Sequence, residues 1–495
     1  MTPAAWLVAR RALLDRPWRS ALLLLGYGTG VAIMIALLSV GDALLLQARD
    51  RNLVAGGDVV VLPEGIDPAV IKVNGVTGLF LTIPNARFLV RDVIGGPRFR
   101  AGVIAAAPQL SARLLYVRAR GRVVAASASA GIPSLDRAAH AARAVAGGVD
   151  SAADRAWLDP PVASLADRVD HFHRVASDGT TGSSAGDPAA WAEWDYVNVV
   201  DPRTHTYAYI TLLAGAPGRG AVIARVRRPG APVEDLVIPS RLREGDISTT
   251  SAAQRVGPAR VRVDARGYRL TVDDPRLRVD LRIHPDRGFM LPAAELRQGD
   301  TISGYVVPVV RGRADGTIET ARGRFVLRDA PAYHDHNWGT WRDVTWEWGE
   351  ASSPAGALVY GDVHLPRRAA PEGGGQLATL FLWGDAAGLQ EPGGLVAALP
   401  ITQITYAGWR PGPIVGGRRV PAPDEVTVRA ANGPDAVRVT IKIWDALGSR
   451  PLASPRGTTG RVFLQLRGDA ELRGTIGGRP VLWRGPAASE TFVRP

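Results

Sequence analysis

Between residues 189 and 495 the sequence breaks into short runs of alternating apolar and polar residues, separated by Gly, Pro, Asn and Asp turn signals about every 8 to 12 residues. Tyr196 to Val200, Thr206 to Leu212, Val222 to Arg227, Arg260 to Asp264 and Leu277 to Ile283 are such runs. So are Tyr305 to Val310, Leu358 to His364, Thr379 to Trp383, Val437 to Ile443 and Val462 to Leu466. A period of two puts successive side chains on opposite faces of a sheet, and helical periodicity is scarce over the same stretch. The expectation is antiparallel sheet, long enough for two barrels or sandwiches.

The first half reads differently. Ser20 to Gly41 is an uncharged, mostly apolar run between Arg19 and Asp42. At ~1.5 Å per residue it spans the ~30 Å hydrocarbon layer, which predicts a transmembrane helix. Arg10, Arg11, Arg16 and Arg19 precede it against a single Asp15, which keeps the N-terminus cytoplasmic and the bulk of the chain outside, at the inner membrane. The run exceeds the apolar core of a cleaved leader, so a retained single-pass signal anchor is expected. Short β-type runs (Asp58 to Leu62, Gly78 to Ile83, Arg113 to Arg118, Arg122 to Ala125) suggest a small extracytoplasmic region. Ser134 is a good N-cap for a helix that Gly147 and Gly148 stop; Leu165, Val169 and Phe172 carry helical spacing, and Ser177 to Pro188 is a linker by composition. The expected organisation is a cytoplasmic segment (1–19), the anchor (20–41), a small α/β region (42–132), a helical segment and linker (133–188), a first β domain (189–330) and a second (331–495).

Charge and composition exclude several functions. The formal charge of +12 comes almost wholly from scattered Arg, Lys occurring only at Lys72 and Lys442. No basic block interleaved with aromatics and no zinc-finger spacing is present, so nucleic acid is not an expected partner. Cysteine is absent, which removes disulfides, thiolate metal sites and a Cys nucleophile. Gly182, Ser184 and Gly186 match a nucleophile-elbow pattern, but in a polar linker rather than between strand and helix. No dinucleotide fingerprint, Walker A loop or calcium loop is found, and no cofactor is expected.

Chemistry concentrates in Tyr333 to Gly339 (YHDHNWG). In an extended strand Tyr333, Asp335 and Asn337 share one face, and His334, His336 and Trp338 the other. The run suits an acid site, a metal site or a buried polar strut. His334 and His336 share a face as metal ligands would, yet no third ligand stands at a recognisable spacing, with Asp362 and His364 only distant candidates. His171 and His173 fit a solvated helix, where i and i+2 do not share a face. Glu193 and Trp194 fit a plain first strand.

The strings DAPAYHDHNWGTW, TWEWGEASSPAGALVYGDVHLP and AEWDYVNVVDPRTHTYAYITL resemble the carotenoid 1,2-hydratase (hydroxyneurosporene synthase) family and its secreted lipocalin-like relatives, over roughly residues 190 to 495. The resemblance implies two tandem lipocalin-like antiparallel barrels, with the motif near their interface. It also implies cofactor-free addition of water to an isoprenoid double bond, or its isomerisation. Asp335 would be the proton donor, its pKa raised by desolvation among Trp338, Trp341, Trp346 and Trp348, whose ring faces would cradle the substrate cation. Tyr333 would orient or relay the proton, Asn337 would place water, and His334 and His336 would orient neighbours from the opposite face. The first 60 or so residues resemble the opening helix and strand of lipoprotein-release and macrolide-export ABC transporter permeases. That second resemblance implies the alternative of a non-catalytic lipid carrier or accessory subunit beside a transporter ATPase and permease. Either way the expected ligand is an apolar small molecule or lipid.

Overall fold

The computed structural model describes residues 17–18, 83–94, 102–103, 105–119, 122–132, 135, 170–173, 191–215, 218–286, 288–298, 301–341, 344–364, 378–384, 394–449 and 461–494. The chain divides into two units, Met1–Leu81 with Gln109–Gly148, and Thr82–Pro108 with Val149–Pro495. In the first, β1 (Gln109–Ala119) and β2 (Arg122–Gly131) form an antiparallel hairpin where the alternation at Arg113 and Arg122 predicts strands.

The second unit begins with α1 (Ile83–Phe88) and a π-helical turn, Leu89–Ile94. Six residues of helix rise only about 9 Å. Among the described residues no helix is long and apolar enough to cross a membrane, and the run Ser20 to Gly41 lies outside them. For the described residues the fold class is thereby corrected to mainly β, with no transmembrane helix preceding the sheets. The helix as membrane partner, the single-pass topology and the inner-membrane and periplasmic placement fall with it. The helix expected from Ser134, the linker and the strand Asp58 to Leu62 also lie outside the described residues, Leu135 apart.

The first large sheet contains β3 (Trp191–Asp201), β4 (Thr206–Gly215), β5 (Arg219–Arg227), β6 (Glu234–Arg241), β7 (Gln254–Val256), β8 (Ala259–Asp264), β9 (Gly267–Asp274), β10 (Leu277–Pro285), β11 (Leu291–Gln298), β12 (Thr301–Thr320) and β13 (Gly323–Thr340). Their order is β6-β5-β4-β3-β13-β12-β10-β9-β8-β7, with β11 also on β12. The sheet is barrel-like without hydrogen-bonded closure between its end strands, β7 lying against β4 and β5. Bulges curl it: the β12–β13 register shifts at Val306/Val309, Val309/Gly312 and Ala314/Gly316. Gly316 holds φ +141°, and a Cβ there would sit 2.0 Å from the Asp280 carbonyl oxygen. β13 runs unbroken through residue 330, so the YHDHNWG strand belongs to the first sheet, and the boundary falls between Thr340 and Thr345.

The second sheet is a closed barrel of β14 (Thr345–Ser353), β15 (Gly356–His364), β16 (Thr379–Gly384), β17 (Gly394–Ala407), β20 (Glu425–Asn432), β21 (Asp435–Ser449), β22 (Val462–Ile476) and β23 (Arg479–Val493). The hairpin β18 (Arg410–Val415) and β19 (Arg418–Ala422) is inserted between β17 and β20. Two barrel-like sheets in tandem agree with the sequence expectation.

Among the described residues, alternation along the strands builds three large apolar clusters. One lies inside the first sheet around Ile210, Leu212, Leu270 and Leu281, and one inside the barrel around Leu358, Leu399, Val439 and Leu472. The third joins the two: Tyr196, Tyr207, Tyr209, Val307 and Tyr333 meet Trp348, Val359, Trp383 and Ala488. Buried polar contacts fix the same junction. Asn198 donates to Glu350 at 2.8 Å, Arg467 donates to Asn198 at 2.8 Å, and Arg225 donates to Gln465 at 2.6 Å.

Removing one partner of a buried ion pair leaves the other charge uncompensated, which costs about 3–5 kcal/mol. Arg467→Ala, which strands Glu350, is expected to lower unfolding free energy by about that amount in urea titration. Arg484→Ala, at the exposed Glu471 pair, should leave the curve near wild type.

Candidate functional site

Strand β13 lies between β3 and β12, with Asp335 opposite Tyr196, His336 opposite Asp195 and Asn337 opposite Trp194. Its outer face meets the barrel. Here the Tyr333 hydroxyl donates to Asp335 Oδ2 at 2.9 Å, and the Asn337 amide donates to Oδ1 at 2.7 Å. The relay continues through a 2.6 Å bond between the Tyr333 and Tyr305 hydroxyls to the Trp348 indole N–H, which donates to Tyr305 at 2.9 Å. Asp335 is 4% exposed, and burial pushes its carboxyl well above the usual range, although the Tyr333 hydrogen bond opposes this. The tyrosine hydroxyls of residues 196, 305 and 333 are pushed up for the same reason. Tyr196 closes the aromatic wall, its ring 5.9 Å from Trp348 and 6.4 Å from Tyr333.

The inner face carries an ionic cluster. His336 donates through Nδ1 to Asp170 Oδ1 at 2.9 Å and through Nε2 to Glu193 Oε1 at 3.0 Å. Both acceptors are carboxylates, so His336 is doubly protonated; burial disfavours that charge, but Asp195, Asp170 and Glu193 outweigh it. His334 Nδ1 donates to the Tyr196 carbonyl at 3.0 Å, and Nε2 faces Asp170 Oδ2 at 3.0 Å. Burial works against charge on His334, yet Asp170 and its hydrogen bond raise it to about 9. Burial first, and then the neighbouring Asp170 charge, raise Asp195 to about 7 against the pull of His336. Glu193 also accepts the His173 backbone N–H at 2.6 Å. Phe172 fixes the segment that brings Asp170 and His173 here: it is buried in the inner core, and its N–H donates to the Ser248 carbonyl at 2.9 Å.

The structure thus brings Tyr333, Asp335 and Asn337 together, with Trp348 reaching them through Tyr305. It separates the other three indoles from Asp335. Trp338 lies on the inner face, stacked on the His173 ring at 3.6 Å, with its indole across Gly304, where a Cβ would sit 1.9 Å away. Trp341 and Trp346 pack with Trp194 at 4.6 and 6.3 Å. Residues 170–173 are not helical, and His173 is part of the cluster rather than solvated. Asp170, His173 and Asp195 escaped sequence reasoning. The alternation of Glu193 and Asp195 in the first strand carried a signal for one of them, since both fall on the face opposite Trp194. Asp362 and His364 lie 3.7 Å from one another, outside this cluster. Among the described residues two groups could hold a metal: His173, Glu193 and His336, or Asp170, Asp195 and His334.

No protein-family model and no curated protein sequence matches the chain. Among solved structures it is similar to kievitone hydratase from Nectria haematococca, at 11% identity and a TM-score of 0.42, over 66% of this chain and 95% of that one. CghA with Sch210972 is similar at 12% identity and a TM-score of 0.42, with the same coverage. Likeness this distant transfers no chemistry to this chain.

Another buried carboxyl lies on the barrel's inner side. Glu347 accepts from Tyr406 and from Thr491, and burial raises it from 4.5 to about 7. The folded state therefore holds a proton there that the unfolded state has released, so this group makes stability fall as pH rises from about 4.5 to about 7. Glu347→Gln should remove that slope, a difference on the order of 3 kcal/mol at its upper bound, read as the variant gaining on wild type in melting temperature across this window.

Proposed function

We propose that this chain is a hydratase-type enzyme that adds water across an isoprenoid-like or other apolar lipid double bond, or shifts that bond, with Asp335 as the proton donor. One arrangement supports the reading: a buried carboxyl held by the Tyr333 hydroxyl and the Asn337 amide beside the rings of Tyr196, Tyr305 and Trp348. The Asp335 O–H gives its proton to one alkene carbon, and the π pair becomes the new C–H bond. The other carbon becomes a tertiary cation, which ring faces stabilise by about 0.5–2 kcal/mol each. Water adds to it through oxygen and its surplus proton returns to the Asp335 carboxylate, with Tyr333 placed to relay it. Alkene and water give an alcohol; loss of a neighbouring C–H proton instead gives the isomer. Neither route needs another reagent. Asn337 orients the carboxyl, and His334 and His336 stiffen the strand from behind.

The test incubates the purified full chain with a panel of polyenes and prenylated compounds and follows the gain of one water by mass spectrometry. Asp335→Asn is expected to lower turnover by ~10²-fold or more, and Tyr333→Phe by ~10-fold, as general-acid groups do. Wild-type turnover by a folded Asp335→Asn protein sinks the assignment. Stoichiometric retention of a polyene without conversion by the wild type sinks it too, in favour of a carrier.

A further inference from the structure

We infer that the inner face of the first sheet carries a divalent-metal site formed by Asp170, Asp195 and His334, suited to a first-row ion such as Zn2+ or Mn2+. The inference is independent of the alkene chemistry, because Asp335 points to the opposite face of β13.

The argument starts from Asp195, which is fully buried and has no hydrogen-bond donor on either carboxylate oxygen. The nearest cationic atom is His336 Nδ1, 3.5 Å from Oδ1 and already engaged by Asp170 at 2.9 Å. A buried carboxylate in that state is expensive unless a cation reaches it. One side of the gap is His334. Its Nδ1 must carry hydrogen, because its partner there is a carbonyl oxygen, so Nε2 is the atom left to bind a metal. Nε2 faces Asp170 Oδ2 at 3.0 Å, near the ~3.3 Å edge of a tetrahedron with ~2.0 Å metal bonds. One ligand atom from each of Asp170, Asp195 and His334 lies within 4.8 Å of the other two. A proton on Nε2 would satisfy Asp170 and leave Asp195 without a donor. A divalent ion satisfies all three.

The alternative trio, His173, Glu193 and His336, fits less well. His336 donates from both ring nitrogens and offers no lone pair, and Glu193 Oε1 already takes the His173 N–H and His336. These residues instead brace the ligands: His336 holds Asp170 Oδ1 while Oδ2 faces the ion. Imidazole nitrogen with two carboxylates and no thiolate selects Zn2+ or Mn2+ over soft ions. The ion would tie β3, β13 and the segment around Phe172 at one point.

The test uses the full chain expressed with added Zn2+ or Mn2+ and then dialysed, with metal measured by plasma mass spectrometry. About one equivalent per chain is expected. Asp195→Asn should lose it by ~10-fold or more, whereas Asp362→Asn should keep it. A folded wild type without metal under both supplements overturns the inference, as does Asp195→Asn holding as much as wild type. If Asp195→Asn fails to fold, X-ray absorption of Co2+-loaded wild type decides. One imidazole nitrogen with carboxylate oxygens is expected, and an all-oxygen hydrated ion overturns the site.

Discussion

Everything about this site depends on the antiparallel pairing of β3 with β13 in one register. Because side chains alternate with a period of two, a slip of one residue would turn Asp335 into the inner core and His336 toward the barrel. Two contacts across the pair resist that slip. His334 hydrogen-bonds the carbonyl of Tyr196, the residue opposite Asp335, and His336 reaches Glu193 as well as Asp170. Trp338 adds a steric lock, since its indole fits only where β12 presents Gly304. The histidines on one face thus fix the geometry of the carboxyl on the other.

The outer face is completed by the second sheet. Trp348 comes from β14, and Glu490, whose charge acts on Asp335, comes from β23 opposite it. Fully burying a large apolar side chain contributes about 1.5–3 kcal/mol. The aromatic cluster at the junction therefore supplies the energy that keeps the polar groups dry, and Asn198, Glu350 and Arg467 set the alignment of the two sheets. Desolvation of Asp335 follows from how the sheets are joined, not from its neighbours in sequence.

That difference marks how far sequence could reach. Alternation alone gave the sheets and the two faces of Tyr333 to Trp338, because the period of a strand is a local property. It could not give the partner strand. Asp170 lies far upstream of His336 in sequence, and only the fold makes it a neighbour, so no spacing rule flags it. The clustering of Trp338, Trp341, Trp346 and Trp348 in sequence suggested one aromatic cradle. In the structure they divide among three surroundings, because β13 ends at Thr340 and β14 begins a different sheet. The apolar run Ser20 to Gly41 lies outside the described residues, and among those described no helix meets the length that spanning a bilayer requires.

A purely structural strut explains one face of β13 but not both. On the outer face Asp335 is held by neutral donors alone, a hydroxyl and an amide, which satisfy its oxygens without a cation in contact. On the inner face Asp170, Glu193, Asp195, His334 and His336 form a charged network in which each buried ion carries a desolvation penalty of several kcal/mol. Apolar residues of similar volume would join β3 to β13 without that penalty. A sheet that places an ionic cluster and a neutral, proton-retaining carboxyl on opposite sides of one strand departs from what stability alone favours. Departures of that kind gather where a chain binds or transforms something.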